Sequence, residues 1–249
     1  MKTALITGAA RGIGLATARG LQEAGWQVAL MDRDGAELEK AAGQLPDPLV
    51  IEGDVSQSQD VTAAVTKITE QFGRLDGLVN NAGVADFGPI RETTFDRWRR
   101  VMETNLDGPF LMTQAFTELL AAQGGGAVVN ITSISGLRAS TLRVAYGTSK
   151  AALAHLTLQQ AAELGELGIR VNGVAPGPVA TKLAMAVHSP EIISAYHDAL
   201  PLNRYGTEDE IAAAINFLLS DKASFITGQI LAADGGFEAT GIGLPALRS

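Results

Sequence analysis

The stretch Thr3-Ala4-Leu5-Ile6-Thr7-Gly8-Ala9-Ala10-Arg11-Gly12-Ile13-Gly14 decides the fold, because it joins a short apolar run to a glycine-rich turn. The run from Thr3 to Thr7 predicts a buried strand, and a helical pattern from Leu15 to Ala24 follows the glycines. Glycines at such a junction permit a tight turn, close approach of the backbone to a pyrophosphate, and close packing of helix on strand. The N-terminus of the helix then faces the anion. The stretch therefore predicts a strand-turn-helix unit that binds a dinucleotide.

The spacing of the glycines shows which kinds of nucleotide-binding motif the turn resembles. Three residues separate Gly8 from Gly12 and one separates Gly12 from Gly14, which differs from the commonest dinucleotide fingerprint. No Gly-Lys-Ser/Thr ending follows, so a phosphate loop of an NTPase has little support. We expect the cofactor to contact Gly8, Arg11, Gly12, Ile13 and Gly14.

The alternation of strand and helix patterns continues along the whole chain of 249 residues. Continuous apolar runs suit strands that are buried on both faces, and intervening helices imply right-handed crossovers. We predict an α/β fold in which one domain, 1–249, forms a Rossmann-like doubly wound sheet of about seven mostly parallel strands with helices on both faces. The predicted strands are Thr3–Thr7, Gln27–Met31, Leu49–Glu52, Leu75–Asn80, Ala127–Thr132, Arg170–Ala175 and Gln229–Ala232.

Composition excludes several classes of function. The net charge of −8 argues against a nucleic-acid backbone or an anionic membrane surface as the main partner. The absence of cysteine excludes disulfides, thiolate metal sites and a cysteine nucleophile. No metal-binding motif is present, so no metal is expected. No apolar run approaches the length that spans a membrane, and we expect a cytoplasmic protein.

Two aspartates follow predicted strands and bear on the choice of cofactor. Asp32 ends the second strand, where an acidic group accepts hydrogen bonds from the adenosine ribose and repels a 2′-phosphate, which favours NAD over NADP. The alternative is that Asp32 caps the helix starting near Gly35. Arg11 and Arg33 weaken the preference for NAD, since either could reach a phosphate. Asp54 either accepts a hydrogen bond from adenine or caps the next helix.

Tyr146 and Lys150 stand at i and i+4 in an Ala-rich segment with a helical pattern, and therefore share one helical face. A free tyrosine has a pKa of about 10, and a neighbouring positive charge favours the phenolate. We expect Lys150 to lower the pKa of Tyr146, so that the phenol serves as an acid/base catalyst.

With these motifs the chain resembles the short-chain dehydrogenase/reductase family over nearly its entire length. The motifs that carry the resemblance are Thr7 to Gly14, Asn80-Asn81-Ala82-Gly83, Asn105 in Thr104-Asn105-Leu106, Ser133 in Asn130-Ile131-Thr132-Ser133, Tyr146 to Lys150, and Pro176 to Thr181. The resemblance implies a catalytic tetrad of Asn105, Ser133, Tyr146 and Lys150. It also implies that the dinucleotide is held by the first motif and by Asn81, Ala82 and Gly83. The remaining predicted cofactor contacts are Asp54, Val55, Pro176, Gly177, Val179 and Thr181, beside Tyr146 and Lys150.

Alcohol oxidation requires both a base and a group that orients the substrate oxygen. Tyr146 is expected to be the base and Ser133 the orienting group, while Lys150 holds the nicotinamide ribose. The resemblance implies that Asn105 anchors a water linking Lys150 to solvent. A Ser-His-Asp hydrolase is disfavoured because no Gly-x-Ser-x-Gly surrounds Ser133. His155, His188 and His197 are not expected to be catalytic.

The sequence says less about substrate and assembly. Arg138 and Arg143 lie between Ser133 and Tyr146, and one of them, for which we take Arg143, could bind an anionic group of the substrate; the alternative is a solvated loop arginine. The irregular segment 181–201, with Leu183 and Met185, is a candidate substrate flap.

Apolar helices predicted over 145–164 and 102–121 indicate subunit interfaces. The resemblance implies a homotetramer built through these helices and the last strand, with a dimer as the alternative. The tail 237–249 either packs on a neighbouring subunit or frays. Three functions remain open: an NAD-dependent oxidoreductase for a polyol, sugar or hydroxy acid, an NADP-dependent 3-oxoacyl reductase, and a catalytically silent dinucleotide-binding regulator.

Overall fold

In the computed structural model, which describes residues 1–181, 185 and 188–240, seven strands form one sheet in the order β3-β2-β1-β4-β5-β6-β7. Every neighbouring pair is parallel. The strands are β1 Thr3–Thr7, β2 Gln27–Asp32, β3 Leu49–Glu52, β4 Gly77–Asn80, β5 Ala127–Ile131, β6 Arg170–Pro176 and β7 Ile230–Ala233. The predicted fold class is confirmed, and the predicted strand limits shift by at most two residues at an end.

Helices connect the strands. They are α1 Gly12–Glu23, α2 Gly35–Ala42, α3 Ser58–Gln71, α4 Phe95–Met102, α5 Gly108–Ala121, α6 Ile134–Leu137, α7 Val144–Leu164, α8 Pro190–Ala199 and α9 Glu208–Leu219. Short 3-10 turns occupy Ile90–Glu92, Gly165–Leu167 and Asp221–Ala223. No helix in the described part of the chain is long and apolar enough to cross a membrane.

The sheet is covered on both faces because successive side chains of each strand point to opposite sides. On one face Ile6 of β1 packs in a core with Leu21 of α1 and Ile215 of α9. On the other face Leu5 of β1 belongs to a second core that includes Phe116 of α5. Layers of helix on both faces therefore bury the central strands completely, as their continuous apolar runs predict.

The strand order places a crevice at the centre of the sheet. The chain builds β1, β2 and β3 toward one edge and then returns to place β4 on the other side of β1. In open α/β sheets, ligands bind outside the carboxyl ends of the strands at this reversal point. Gly8, Asn81 and Ser133 follow the carboxyl ends of β1, β4 and β5 and so meet at one edge.

The helix predicted over 102–121 is present, but a π-helical turn at Glu103–Asp107 lies between its regular α-helical parts, α4 and α5. Pro109 stands in the first turn of α5 and has no N–H to donate to the carbonyl of Asn105. The N–H of Gly108 instead reaches the carbonyl of Glu103, five residues back. Asn105 is therefore placed in a turn of the kind often found at functional sites.

The segment 181–201 is more regular than predicted. Its second half forms α8, which begins where the Ser189 hydroxyl accepts a hydrogen bond from Ile192 N and Pro190 occupies the first turn. A Ser followed by a Pro is a strong signal for the start of a helix, and these two residues could have predicted α8 from the sequence. The candidate flap residues 182–184 and 186–187, including Leu183, and the tail residues 241–249 lie outside the described part of the chain.

Candidate active site

Two glycines in the first turn are required by close backbone packing. Gly8 has φ of +63°, and a Cβ there would lie 2.8 Å from the Cα of Ala82. A Cβ on Gly14 would lie 2.4 Å from the carbonyl oxygen of Gly8. A side chain at either position would therefore push the turn away from the loop after β4 or away from the start of α1, so both glycines are needed to fix the shape of the turn.

Thr7 joins this turn to the loop after β4. Its hydroxyl accepts hydrogen bonds from the backbone N–H groups of Asn81 and Ala82, both at 3.0 Å. In return, the side-chain amide of Asn81 donates to the carbonyls of Thr7 and Gly8 at 2.9 and 3.0 Å. Two of the predicted cofactor segments thus form one rigid unit. Thr7 was not among the predicted site residues, although it lies within the quoted motif.

The Asp32 carboxylate is fixed at the mouth of the crevice. Its two oxygens accept hydrogen bonds from the backbone N–H groups of Ala10 and Asp34, each at 3.1 Å. The cap of α2 is Asp34, which accepts from Glu37 N, so the alternative interpretation of Asp32 as the helix cap is wrong. Asp32 lines a cleft together with other residues from the ends of β1 to β4, namely Gly8, Arg33, Asp54, Val55, Ala82 and Gly83.

The two arginines that could reach a phosphate are paired with carboxylates. Arg11 forms an ion pair with Asp34. Arg33 Nη1 lies 3.7 Å from Asp54 Oδ2. Asp54 does not cap α3, whose cap position is Gln57; instead Asp54 Oδ1 accepts from the backbone and hydroxyl of Ser56 at 2.9 and 2.8 Å.

The remaining predicted cofactor contacts lie at the end of β6 or along the same cleft. Pro176 pairs with Ala233 of β7, and a Cβ on Gly177 would lie 2.6 Å from the Cα of Asp234. Val179 is buried and accepts a hydrogen bond from Thr181 N at 2.8 Å. The structure places this segment beside the strand that carries Ser133. Ile13 is half-buried in the first turn of α1.

The Ser133 side chain lies close to Tyr146. Ser133 stands two residues after the end of β5, and its oxygen accepts a hydrogen bond from Ser135 N at 3.1 Å, which caps the short α6. The same hydroxyl acts to lower the pKa of the phenol of Tyr146, which lies in the first turn of α7. Ser133 therefore serves as a helix cap and also faces the phenol.

Lys150 lies one turn further along α7 and is almost completely buried. Its Nζ donates to the carbonyl of Ile131 at 2.7 Å and lies 5.9 Å from the centroid of the Tyr146 ring. A Cβ on Gly83 would lie 3.5 Å from this Nζ, so the glycine keeps the cofactor loop against the lysine. Among the described residues only one of the three ammonium N–H groups has a partner, which leaves two for ribose hydroxyls.

Asn105 joins the loop after β4 to α7. Its Oδ1 accepts from Val84 N at 2.8 Å, and its Nδ2 donates to Val84 O at 2.9 Å and to Ser149 Oγ at 3.0 Å. It therefore orients the residue next to Lys150, while its role in holding a water stays a prediction.

The prediction that the pKa of Tyr146 is lowered is wrong for this structure. Burial raises the pKa of Tyr146 above 10, and this outweighs the opposing effects of the Ser133 hydrogen bond and the Arg143 charge. Burial also lowers the pKa of Lys150 to about 8. Sequence spacing shows which side chains are neighbours, but it does not show how strongly both are desolvated.

Known proteins are similar to this chain over nearly its full length. The family described as enoyl-(acyl carrier protein) reductase matches residues 8–238. A 2-(S)-hydroxypropyl-CoM dehydrogenase 3 of Xanthobacter autotrophicus is 39% identical over 243 residues, which cover 94% of this chain and 95% of the relative. This chain belongs to the short-chain dehydrogenase/reductase family.

Two further members of this family are similar to this chain over 94% and 96% of its length. A galactitol 2-dehydrogenase (L-tagatose-forming) of Cereibacter sphaeroides is 40% identical over 239 residues, 94% of each chain. The structure of a short-chain type dehydrogenase/reductase from Mycobacterium ulcerans superposes with a TM-score of 0.93 at 34% identity, covering 96% of this chain and 90% of that one. The protein is thus an oxidoreductase that acts on CH–OH groups.

A cluster of aromatic rings beside the site was not predicted. His188 Nδ1 lies 3.0 Å from the hydroxyl of Tyr205, and the His188 ring stacks on Tyr196 of α8 at a centroid distance of 5.7 Å. Phe237 packs against Tyr196 from the other side of the segment at 6.5 Å. Three of these residues lie within the stretch 188–205 and Phe237 follows β7, so the fold brings the two parts of the chain together. His155, by contrast, is near Gln159 on the surface of α7.

The buried lysine has a measurable effect on stability. Above pH 8 the folded protein holds Lys150 neutral, whereas the unfolded chain keeps it charged up to about pH 10.4, so the unfolded state binds more protons and stability rises with pH. Relative to Lys150→Met, the wild type is expected to gain about 1 kcal/mol per pH unit between pH 8.5 and 9.5. Urea denaturation of both proteins at several pH values measures this difference. A difference that stays constant from pH 7 to 9.5 would contradict the assignment.

Proposed function

We propose that this protein is an NAD(H)-dependent oxidoreductase that interconverts a secondary alcohol and its ketone, with Tyr146 as the acid/base group. The observation that carries the proposal is the placement of Ser133 beside Tyr146 and of buried Lys150 one helical turn further on, at the edge of the glycine-lined crevice. Substrates of this class include polyols, sugars and hydroxy acids, and two relatives of the chain are named as dehydrogenases of 2-(S)-hydroxypropyl-CoM and of galactitol.

The residues divide the proton chemistry between them. In reduction the phenol of Tyr146, which burial keeps protonated, gives its proton to the carbonyl oxygen; in oxidation the phenolate form of Tyr146 takes the hydroxyl proton of the alcohol. Ser133 donates a hydrogen bond to the same substrate oxygen and so holds it against the phenol. Lys150 would hold the nicotinamide ribose through its remaining N–H groups. When bound, the nicotinamide would supply the hydride acceptor for oxidation and the hydride donor for reduction.

Removing the phenolic oxygen tests this assignment. Tyr146→Phe is expected to lower kcat by about 100- to 10,000-fold, because a positioned proton-transfer group contributes that much. Cofactor affinity should change little, since Asp32 and the glycine turn are untouched. Turnover is followed by nicotinamide absorbance on a panel of alcohols and ketones, and cofactor binding by fluorescence titration. Retained turnover would mean that another residue is the base.

We also propose that the protein prefers NAD to NADP. The carboxylate of Asp32 is held toward the cleft by two backbone N–H groups, where it suits a ribose diol and repels a 2′-phosphate. Arg11 and Arg33 are each paired with a carboxylate, which reduces their availability to a phosphate. The alternative is an NADP-dependent 3-oxoacyl-[acyl-carrier-protein] reductase, because the chain is also 35% identical over 240 residues to a 3-oxoacyl-[acyl-carrier-protein] reductase of Staphylococcus epidermidis. A silent dinucleotide-binding regulator is disfavoured, because Asn105, Ser133, Tyr146 and Lys150 are all present at the site.

A change at Asp32 separates the two cofactors. Asp32→Ser is expected to shift the ratio of kcat/KM for NAD over NADP toward NADP by 10-fold or more, about the effect of removing one charge repulsion. Adding Arg33→Ala to this variant should reverse part of the gain, since Arg33 lines the same cleft as Asp32 and could reach the 2′-phosphate. A wild type that already works better with NADP would contradict the role given to Asp32.

We also propose a homotetramer in the cytoplasm. Phe110 of α5 and Leu158 of α7 are exposed on the helices that the sequence predicts to be apolar on nearly every face, and Phe225 and Leu231 are exposed near the last strand. Exposed apolar surfaces of this kind mark interfaces. The absence of cysteine fits a reducing compartment.

Sedimentation equilibrium gives the mass directly. Association is expected at micromolar concentration, and Phe110→Lys combined with Leu158→Lys should disrupt the interface formed by α5 and α7, because a charge on an apolar contact is costly to bury. A wild type that sediments at the monomer mass of 25.9 kDa would contradict the proposed assembly.

A further inference from the structure

Arg143 lies directly before α7, three residues from Tyr146, so the two share the first turn of the same helix. Its guanidinium donates long hydrogen bonds of 3.4 Å to Ser135 Oγ and to the hydroxyl of Tyr196. The guanidinium carbon also lies 4.9 Å from the centroid of the Phe87 ring. The side chain is thus held between α6, the loop after β4, and α8.

Neutral groups surround this cation. Ser140 donates to Ser135 at 3.1 Å, which extends the row of hydroxyls. His188, which stacks on Tyr196, has its pKa lowered by burial and by the charge of Arg143, so it is neutral at pH 7. In the part of the chain that the structure describes, no carboxylate lies within 4.0 Å of the guanidinium. A half-buried charge without a counter-ion is costly, and an incoming anion would relieve that cost.

Arg138, the second arginine in this part of the chain, differs from Arg143 because its charge is paired with a carboxylate. Arg138 Nε lies 3.0 Å from Glu238 Oε2, and its guanidinium also donates to the carbonyl of Glu238. Its charge is therefore already paired, and its side chain is exposed. Of the two arginines that sequence leaves as candidates, only Arg143 combines an unpaired guanidinium with contacts to residues next to Ser133 and to the ring cluster.

The position of Arg143 connects it to the reacting groups. Ser135, which it contacts, lies two residues after Ser133 and donates its backbone N–H to the Ser133 hydroxyl. The charge of Arg143 also acts on the phenol of Tyr146 and opposes the rise of its pKa. An anion bound to the guanidinium would therefore belong to the same molecule as a hydroxyl held between Ser133 and Tyr146.

We propose that Arg143, with the hydroxyls of Ser135 and Tyr196, forms a carboxylate subsite, and that the substrate is a hydroxy acid or the corresponding oxo acid. Two donors on one edge of a guanidinium match the two oxygens of a carboxylate. The hydroxyls of Ser135 and Tyr196 can rotate from accepting to donating when the anion enters. This inference rests on the proposed function for turnover, but the anion site itself can be measured without turnover.

Matched ligands and matched variants test the site. Butyrate and butyramide have the same shape and differ in charge, and their binding to the protein saturated with NADH is measured by calorimetry or by competition with substrate. Butyrate is expected to bind about 10- to 100-fold more weakly to Arg143→Met than to the wild type, the range for a charged hydrogen-bonded contact. Butyramide should change less than 3-fold. Arg138→Met is the control and should leave both affinities unchanged.

Turnover supplies the second measurement. Hydroxy acids of four or five carbons and their primary amides are assayed as pairs with NAD, and the wild type is expected to prefer the acid by 10-fold or more in kcat/KM. That preference should vanish in Arg143→Met and return in part in Arg143→Lys, which keeps the charge but loses the two-donor edge. If Arg143→Met does not fold, as judged by circular dichroism, Arg143→Gln replaces it in both measurements.

The two measurements distinguish a failure of the carboxylate subsite from a failure of the proposed function. The subsite is overturned if butyrate fails to bind the wild type, if Arg143→Met binds butyrate as tightly, or if butyrate and butyramide weaken alike. A wild type that binds butyrate through Arg143 but oxidises neither acids nor amides would instead contradict the proposed function and leave the anion site supported.

Discussion

The structure depends on the burial of two polar side chains on one turn of α7, the half-buried Tyr146 and the almost completely buried Lys150. Burial opposes the charged form of each group, since it raises the pKa of the phenol and lowers the pKa of the lysine to about 8. The carbonyl of Ile131 accepts a hydrogen bond from the ammonium, and the Ser133 hydroxyl opposes the rise of the pKa of the phenol. Ile131 ends β5 and Ser133 lies two residues beyond it, so the sheet itself determines where Tyr146 and Lys150 stand.

Glycines also allow close packing around the predicted cofactor crevice. Gly8, Gly14 and Gly83 allow the loops after β1 and β4 to approach each other and Lys150 without side chains between them. Thr7 and Asn81 then lock the two loops with four hydrogen bonds. A crevice built from backbone is preorganised for an anion, because its N–H groups need no rearrangement on binding.

Sequence reasoning predicts the sheet well, because strands buried on both faces require continuous apolar runs and these are visible without coordinates. Local motifs also single out the glycine turn and the residues Asn105, Ser133, Tyr146 and Lys150, whose catalytic roles stay predictions. Sequence reasoning misses the π turn at Asn105, which depends on a proline four residues later, and the helix α8, which depends on the Ser189-Pro190 start. The rings of His188, Tyr196 and Tyr205 could not be predicted as a cluster, because no local pattern connects them. The net pKa of Tyr146 could not be predicted either, since desolvation is a property of the folded environment.

The most direct test of this account is a crystal structure of the protein with NAD bound. The account predicts the adenosine ribose on the Asp32 carboxylate, the nicotinamide ribose on Lys150, and the nicotinamide ring facing the hydroxyls of Ser133 and Tyr146. A dinucleotide bound elsewhere, or a Tyr146 hydroxyl turned away from the nicotinamide, would contradict it.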